Sequence, residues 1–245
     1  MDGVALCARF SLATSRLEYC GPREAAPVLY AAITGGGEKA PARDLLCRFE
    51  ALYPYLEAIG SRHGLDPFDE RVVEAYWIGN GLLDAFGPEE FLRVLEALVR
   101  RGLSPATARR LREHLPAHPL PHHTFHVLFV GVGEVTGHVP TTLTNMESCR
   151  VAAGEVVGVE GTTLTLQGRP LGHEGARLFP GPVALRRVPY DPAVLPGVRR
   201  GDTVALHWGH PALLLSRAQA EALEHYTARS LAAANEALPG LRALG

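Results

Sequence analysis

Apolar and polar positions along the chain follow two different repeats, and the change falls near residue 116. Upstream of it, apolar residues recur every three or four positions, the repeat that lines one face of a helix. Val4–Leu17 reads as a first helix, stopped by the loop signal EYCGP at Glu18–Pro22. Glu24–Ile33 reads as a second, stopped by Gly35–Gly37. Leu45, Phe49, Leu52, Leu56 and Ile59 share one amphipathic face, and Pro54 inside that run is expected to kink it or to remove a hydrogen bond. Asp66-Pro67 has the form of an N-cap followed by proline in the first turn, opening a helix that carries Val72, Val73, Tyr76, Trp77 and Leu83. Glu89–Arg101 sets Phe91, Leu95 and Leu98 in a stripe, with acids at its start and arginines at its end to suit the helix dipole. Ser104-Pro105 opens a further helix that ends by Pro116. Short loops between five or six such helices predict an all-α helical bundle over residues 1–115.

Past the proline-rich stretch 116–121 the pattern turns to that of strands, so residues 116–245 are expected to form a second domain. Thr124–Val135 is apolar on both faces and rich in β-branched and aromatic residues, as a buried strand would be. Gly154–Gln167 reads as a hairpin turning at Glu160-Gly161, and Pro182–Val188 as another strand. In Thr203–Trp208, Val204, Leu206 and Trp208 alternate with Thr203, Ala205 and His207; Gly209-His210-Pro211 breaks the alternation. Ser216 and Gln219 form a capping box that starts a last helix running to about Ala237. The expected class is α+β: a helical bundle, then a small OB-like β-barrel with a C-terminal helix.

Composition narrows the function classes. The chain is 47% hydrophobic and 20% charged, with a formal net charge of -2, so nothing in its charge favours nucleic acid. Lys39 is the only lysine. No segment reads as a secretory signal or a membrane span, which predicts a cytoplasmic protein with no membrane partner. Cys7, Cys20, Cys47 and Cys149 are too far apart in sequence for a Cys-x-x-Cys pair, and free thiols are expected. The templates of nucleophilic hydrolases, P-loops and HExxH metalloproteases are absent, which leans away from an enzyme.

The remaining chemistry lies in cysteine and histidine. GDTVALHWGHPALLLS (Gly201–Ser216), read with the upstream CRVAAGEV (Cys149–Val156), resembles the HypC/HybG-type [NiFe]-hydrogenase assembly chaperones. Cys149, Gly154 and Val156 match the opening segment of that family, His207 matches its closing strand, and the two segments come in the family's order over about residues 149–233. Cys149 is internal here, where the family's cysteine follows the initiator methionine, and Ala153 replaces the family's proline. The resemblance implies an accessory protein of metallocentre assembly. Iron would be held transiently by Cys149 and His207, and the partners would be a HypD-like scaffold and a hydrogenase large-subunit precursor. A second reading rests on the densest histidine group, His122, His123 and His126, which could build an inter-domain metal site with Cys149 or Cys20. Cys20, in a constrained Tyr-Cys-Gly-Pro loop, and Asn80, after two aromatics in YWIGN, are accessory candidates.

Overall fold

The computed structural model describes residues 2–241. Helices fill the first half: α1 (Gly3–Arg16), α2 (Ala25–Thr34), α3 (Lys39–Leu46), α4 (Tyr53–His63), α5 (Glu70–Trp77), a 3-10 turn at Gly81–Ala85, α6 (Pro88–Val99) and α7 (Pro105–Glu113). Two details differ from the sequence expectation. The Leu45–Ile59 face is divided between α3 and α4, and Pro54 sits in the first turn of α4, where its missing N–H costs nothing and no kink is needed. Asp66 is not the cap of α5. Its carboxylate accepts the Phe68 N–H at 2.8 Å and a two-pronged pair from Arg43, whereas Asp69 caps α5 through the Arg71 N–H at 3.0 Å. The Ser104 cap is as expected, its hydroxyl accepting from the Thr107 N–H at 3.0 Å.

The largest correction concerns residues 124–135. Instead of a strand, a single α-helical turn, α8 (His123–Phe125), runs straight into a π-helical turn at His126–Gly131. Phe125 and Val127–Val130 are completely buried. A helix at the centre of the protein is apolar all round, so its sequence has no polar face to distinguish it from a buried strand. The segment α9 (Leu143–Cys149) follows, capped by the Thr142 hydroxyl on the Asn145 N–H.

The sheet comprises β1 (Ala152–Glu160), β2 (Thr163–Gly168), β5 (Ala184–Pro189), β6 (Thr203–His207) and β7 (His210–Leu215) in the order β5-β2-β1-β6-β7, all neighbours antiparallel. A separate ribbon pairs β3 (Leu171–Glu174) with β4 (Arg177–Pro180). The five strands do not close: β5 and β7 are edges, so the expected OB-like barrel is an open antiparallel sheet among the described residues. The first hairpin turns one residue later than expected, at Gly161-Thr162, with Gly161 at φ +58°. Val156, Leu164, Leu166, Val188, Val204 and Leu206 pack together on one sheet face. Ala205, Ala212 and Leu213 on the other join a core that runs from Val4 to Leu238 and includes α8. That core crosses residue 116 without a break, so the expected boundary at 116 is a change of local pattern rather than a gap in packing.

The final helix, α10 (Arg217–Leu241), begins at the expected capping box: the Gln219 N–H donates to the Ser216 hydroxyl at 3.2 Å and the Ser216 N–H to Gln219 Oε1 at 3.0 Å. It is locked against the segment just past α5 at Gly79, which has φ +102° and carries the Tyr226 ring so closely that a Cβ would lie 2.3 Å from Cδ2. Gly79→Ala is expected to cost roughly 2–4 kcal/mol, from the strained backbone plus the displaced ring. Chemical denaturation would measure it, and a cost within about 0.5 kcal/mol, typical of a neutral surface change, would refute the close-packing argument.

Candidate metal centre

The first step toward the site is strand pairing. Ala152 at the start of β1 lies opposite Leu206 near the end of β6. Cys149, just before β1, and His207, the last residue of β6, therefore emerge at the same end of adjacent strands. The β6–β7 turn pins them together. Trp208 (φ +52°) and Gly209 (φ +72°) form a two-residue turn with both residues at positive φ, the geometry that suits the twist of a hairpin. The Trp208 N–H donates to Ser148 O at 2.6 Å, and its ring meets Tyr19 at 4.7 Å. From the core side, α8 delivers His123.

The result is a cluster of three: His123, Cys149 and His207, whose ligand atoms all lie within 4.8 Å of one another. Cys149 Sγ is 3.8 Å from His123 Nε2 and 3.9 Å from His207 Nε2. All three residues are buried. Bonds of 2.0–2.3 Å to a tetrahedral ion place its ligand atoms about 3.3–3.8 Å apart, so the two sulfur–nitrogen spacings need little adjustment and the two imidazoles close in around the ion. Beside the cluster lies a cavity of about 60 Å³, shared with Cys20, Tyr76 and His126.

Hydrogen bonds set the tautomers, because a carbonyl can only accept. His207 Nδ1–H donates to Phe10 O on α1 at 2.7 Å, leaving the Nε2 lone pair directed at the sulfur, the arrangement that orients a metal-ligating histidine. His123 Nε2–H donates to Cys149 O at 2.8 Å, and its Nδ1 accepts from the Tyr76 hydroxyl at 3.0 Å. To bind a metal through Nε2, His123 changes tautomer. Nδ1–H then donates to Tyr76, whose hydroxyl turns its proton to Ala51 O, 3.4 Å away. The rings of Trp77 and His123 have centroids 4.4 Å apart, and those of Trp77 and His207 5.1 Å.

Burial dominates the protonation states. It pushes the Cys149 thiol well up, reinforced by nearby Cys20 and opposed by the Trp208 indole. It drives His207 down to about 4 against the opposing Phe10 hydrogen bond, and His123 well below its ordinary value, helped by His207 and His126. Without a metal the site therefore holds a thiol and two neutral imidazoles. A divalent ion would displace the thiol proton and take a thiolate, as coordinated cysteines do.

The structure separates the remaining candidates. His122 points away: its Nδ1 meets the Ser230 hydroxyl at 3.2 Å, and its ring lies 6.2 Å from that of Tyr226. It is outside the cluster because the helical turn sends consecutive residues in different directions, whereas a strand would have put His122 and His126 on one face. His126 lines the cavity, with Nδ1 held by the Tyr55 hydroxyl at 2.8 Å. Asn80 is a cap. Its Oδ1 accepts from the Leu82 N–H at 3.0 Å and its Nδ2 donates to Arg71 O at 2.8 Å, with no place in the cavity. Cys20 is in the cavity wall, its thiol 3.7 Å from Glu50 Oε2.

A buried ion pair next to Cys149 was missed by the sequence reading. Arg150, 7% exposed, donates through Nε to Glu147 Oε2 at 2.7 Å and through Nη2 to Arg169 O at 2.8 Å, while Glu147 also takes Arg186 and the Leu171 N–H. The i,i+3 spacing of Glu147 and Arg150 was the available signal. Glu147→Ala strands Arg150 and is expected to cost about 3–5 kcal/mol. Thermal unfolding tests this, and a melting temperature unchanged from the parent would show that the pair does not brace the site.

No curated protein and no solved structure matches the chain. One family model matches residues 1–240, nearly the whole length. On that match, the chain belongs to the family described as "Family of unknown function (DUF6390)".

Proposed function

We propose that the protein is a metal-binding protein whose centre is His123, Cys149 and His207. The observation that carries this reading is the buried convergence of three ligand atoms within 4.8 Å, from three segments distant in sequence. Two imidazoles and a thiolate suit a borderline ion such as zinc or ferrous iron, and are a poor match for magnesium or calcium, which prefer oxygen. Burial of all three residues supports a resident ion rather than one passed along an exposed surface.

The 3.9 Å approach of Cys149 to His207 supports a second reading, the one implied by the resemblance to HypC/HybG-type chaperones. There the ion is iron, handled during [NiFe]-hydrogenase maturation. The open sheet with its C-terminal helix stands in for the OB-like barrel, and the N-terminal helices meet a HypD-like scaffold or the large-subunit precursor. Anaerobic purification followed by metal analysis and infrared spectroscopy tests both. Stoichiometric zinc or iron without diatomic bands supports the resident centre, and cyanide and carbonyl bands support the assembly role. Failure to take up zinc or ferrous iron on reconstitution overturns both.

A further inference from the structure

The three donors leave a tetrahedral ion one ligand short. We propose that Cys20 is the fourth ligand, so that the loaded centre is a closed Cys2His2 site in which the Tyr19–Pro22 loop, in the cavity wall, clamps the ion. This inference rests on the metal-binding reading above and goes beyond it, since it decides between an open centre able to bind a substrate and a saturated one.

Three observations carry it. First, Cys20 lines the same cavity as His123, Cys149 and His207, and that cavity, at about 60 Å³, leaves room for a sulfur to swing into it. Second, the Cys20 thiol is held by long sulfur contacts, 3.7 Å from Glu50 Oε2, a carboxylate oxygen already engaged by the Gly21 N–H at 3.0 Å, and beside the backbone of Glu50 and Ala51. These contacts are exchanged for a metal–thiolate bond when the sulfur turns inward. The loop around it is conformationally distinct: Glu18 (φ +55°) and Gly21 (φ +83°) are both in the left-handed region, and Tyr19 is held by Trp208, the residue next to His207. Third, charge favours sulfur over nitrogen. A divalent ion held by two imidazoles and one thiolate keeps a net positive charge in a buried, largely apolar site, whereas a second thiolate neutralises it. His126, the other nearby donor in the cavity wall, is neutral when it ligates and is already held at Nδ1 by Tyr55. Each cysteine gives its proton to water as its sulfur–metal bond forms, and no electron is transferred.

Cobalt(II) titration of the full-length apo protein under reducing, anaerobic conditions reads the number of thiolates directly. The wild type is expected to bind one cobalt with tetrahedral ligand-field bands and a thiolate-to-cobalt absorption in the near ultraviolet. Cys20→Ser is expected to keep one cobalt while losing roughly half of that absorption, because one of two thiolates is gone. Unchanged absorption in Cys20→Ser overturns the fourth-ligand assignment alone, and a shifted spectrum in His126→Asn alongside it would transfer the role to that histidine. Absence of sulfur absorption in the wild type overturns the metal-binding reading itself. Should Cys20→Ser fail to fold, alkylation mapping on the wild type decides: one equivalent of zinc must slow the labelling of Cys20, and equal labelling with and without zinc refutes the proposal.

Discussion

Cys149→Ser is expected to abolish stoichiometric binding of zinc or cobalt, lowering affinity by roughly 100-fold or more, while leaving the fold intact. The lower bound follows from the loss expected for a mere outer-shell residue, about 10–100-fold, since Cys149 supplies the ligand atom itself. Serine fills nearly the same volume, yet its hydroxyl does not ionise beside an ion as a thiol does, and oxygen is a harder donor. His207→Gln is expected to act similarly, with an additional loss of the Phe10 hydrogen bond that aims the ring. His122→Gln is the control: that ring faces Ser230, outside the cluster, and its replacement should leave affinity unchanged. Competition titration with a chromophoric chelator measures all three. Wild-type affinity in Cys149→Ser would mean that the convergence of ligand atoms is a packing accident.

How far this centre could be read in the sequence depends on which link is considered. The three residue types were visible: Cys149 and His207 through the ordered pair of segments, His123 through the histidine group. What joins them was not. Cys149 and His207 meet because β1 and β6 pair with Ala152 opposite Leu206, a long-range register that local alternation does not specify. His123 reaches them only because residues 123–131 coil, and a run apolar on every side has the same pattern coiled or extended. β7 was hidden by Pro211, read as the end of a strand. As β7 is an edge of the sheet, it tolerates a proline there. Whether a set of short strands closes depends on shear and tilt, which strand count does not reveal, and here the sheet stays open. Local signals fared better. Ser104 and the Ser216–Gln219 box cap the helices they were read to cap, because a cap needs only the residues within one turn.

The metal-free protein is expected to unfold cooperatively in mild acid, with a midpoint between about pH 4 and 5.5. Burial holds His122 down to about 3, and His126 and His207 each to about 4, against an ordinary value of about 6.5 in an unfolded chain. The sign follows from proton counting. Above about pH 7 both states carry neutral rings and the histidines are indifferent to pH. As pH falls below 6.5 the unfolded chain takes up protons that the folded one refuses, so stability drops until the folded pKa values are reached. Three rings, each refusing a proton over some 2.5 units or more, cost on the order of 10 kcal/mol in total, comparable to the 5–15 kcal/mol that holds a typical domain folded. Urea titrations at successive pH values would give the slope, expected to approach four protons taken up per unfolding event near pH 5, the fourth going to His123, which burial also holds well below its ordinary value. A flat profile between pH 7 and 5 would show that these rings are solvated or paired. Bound zinc should add about 2.7 kcal/mol at neutral pH when present at 100 times its dissociation constant. That increment should shrink across the same acid window, because the ion must displace the Cys149 thiol proton, which becomes about tenfold harder with each unit of falling pH.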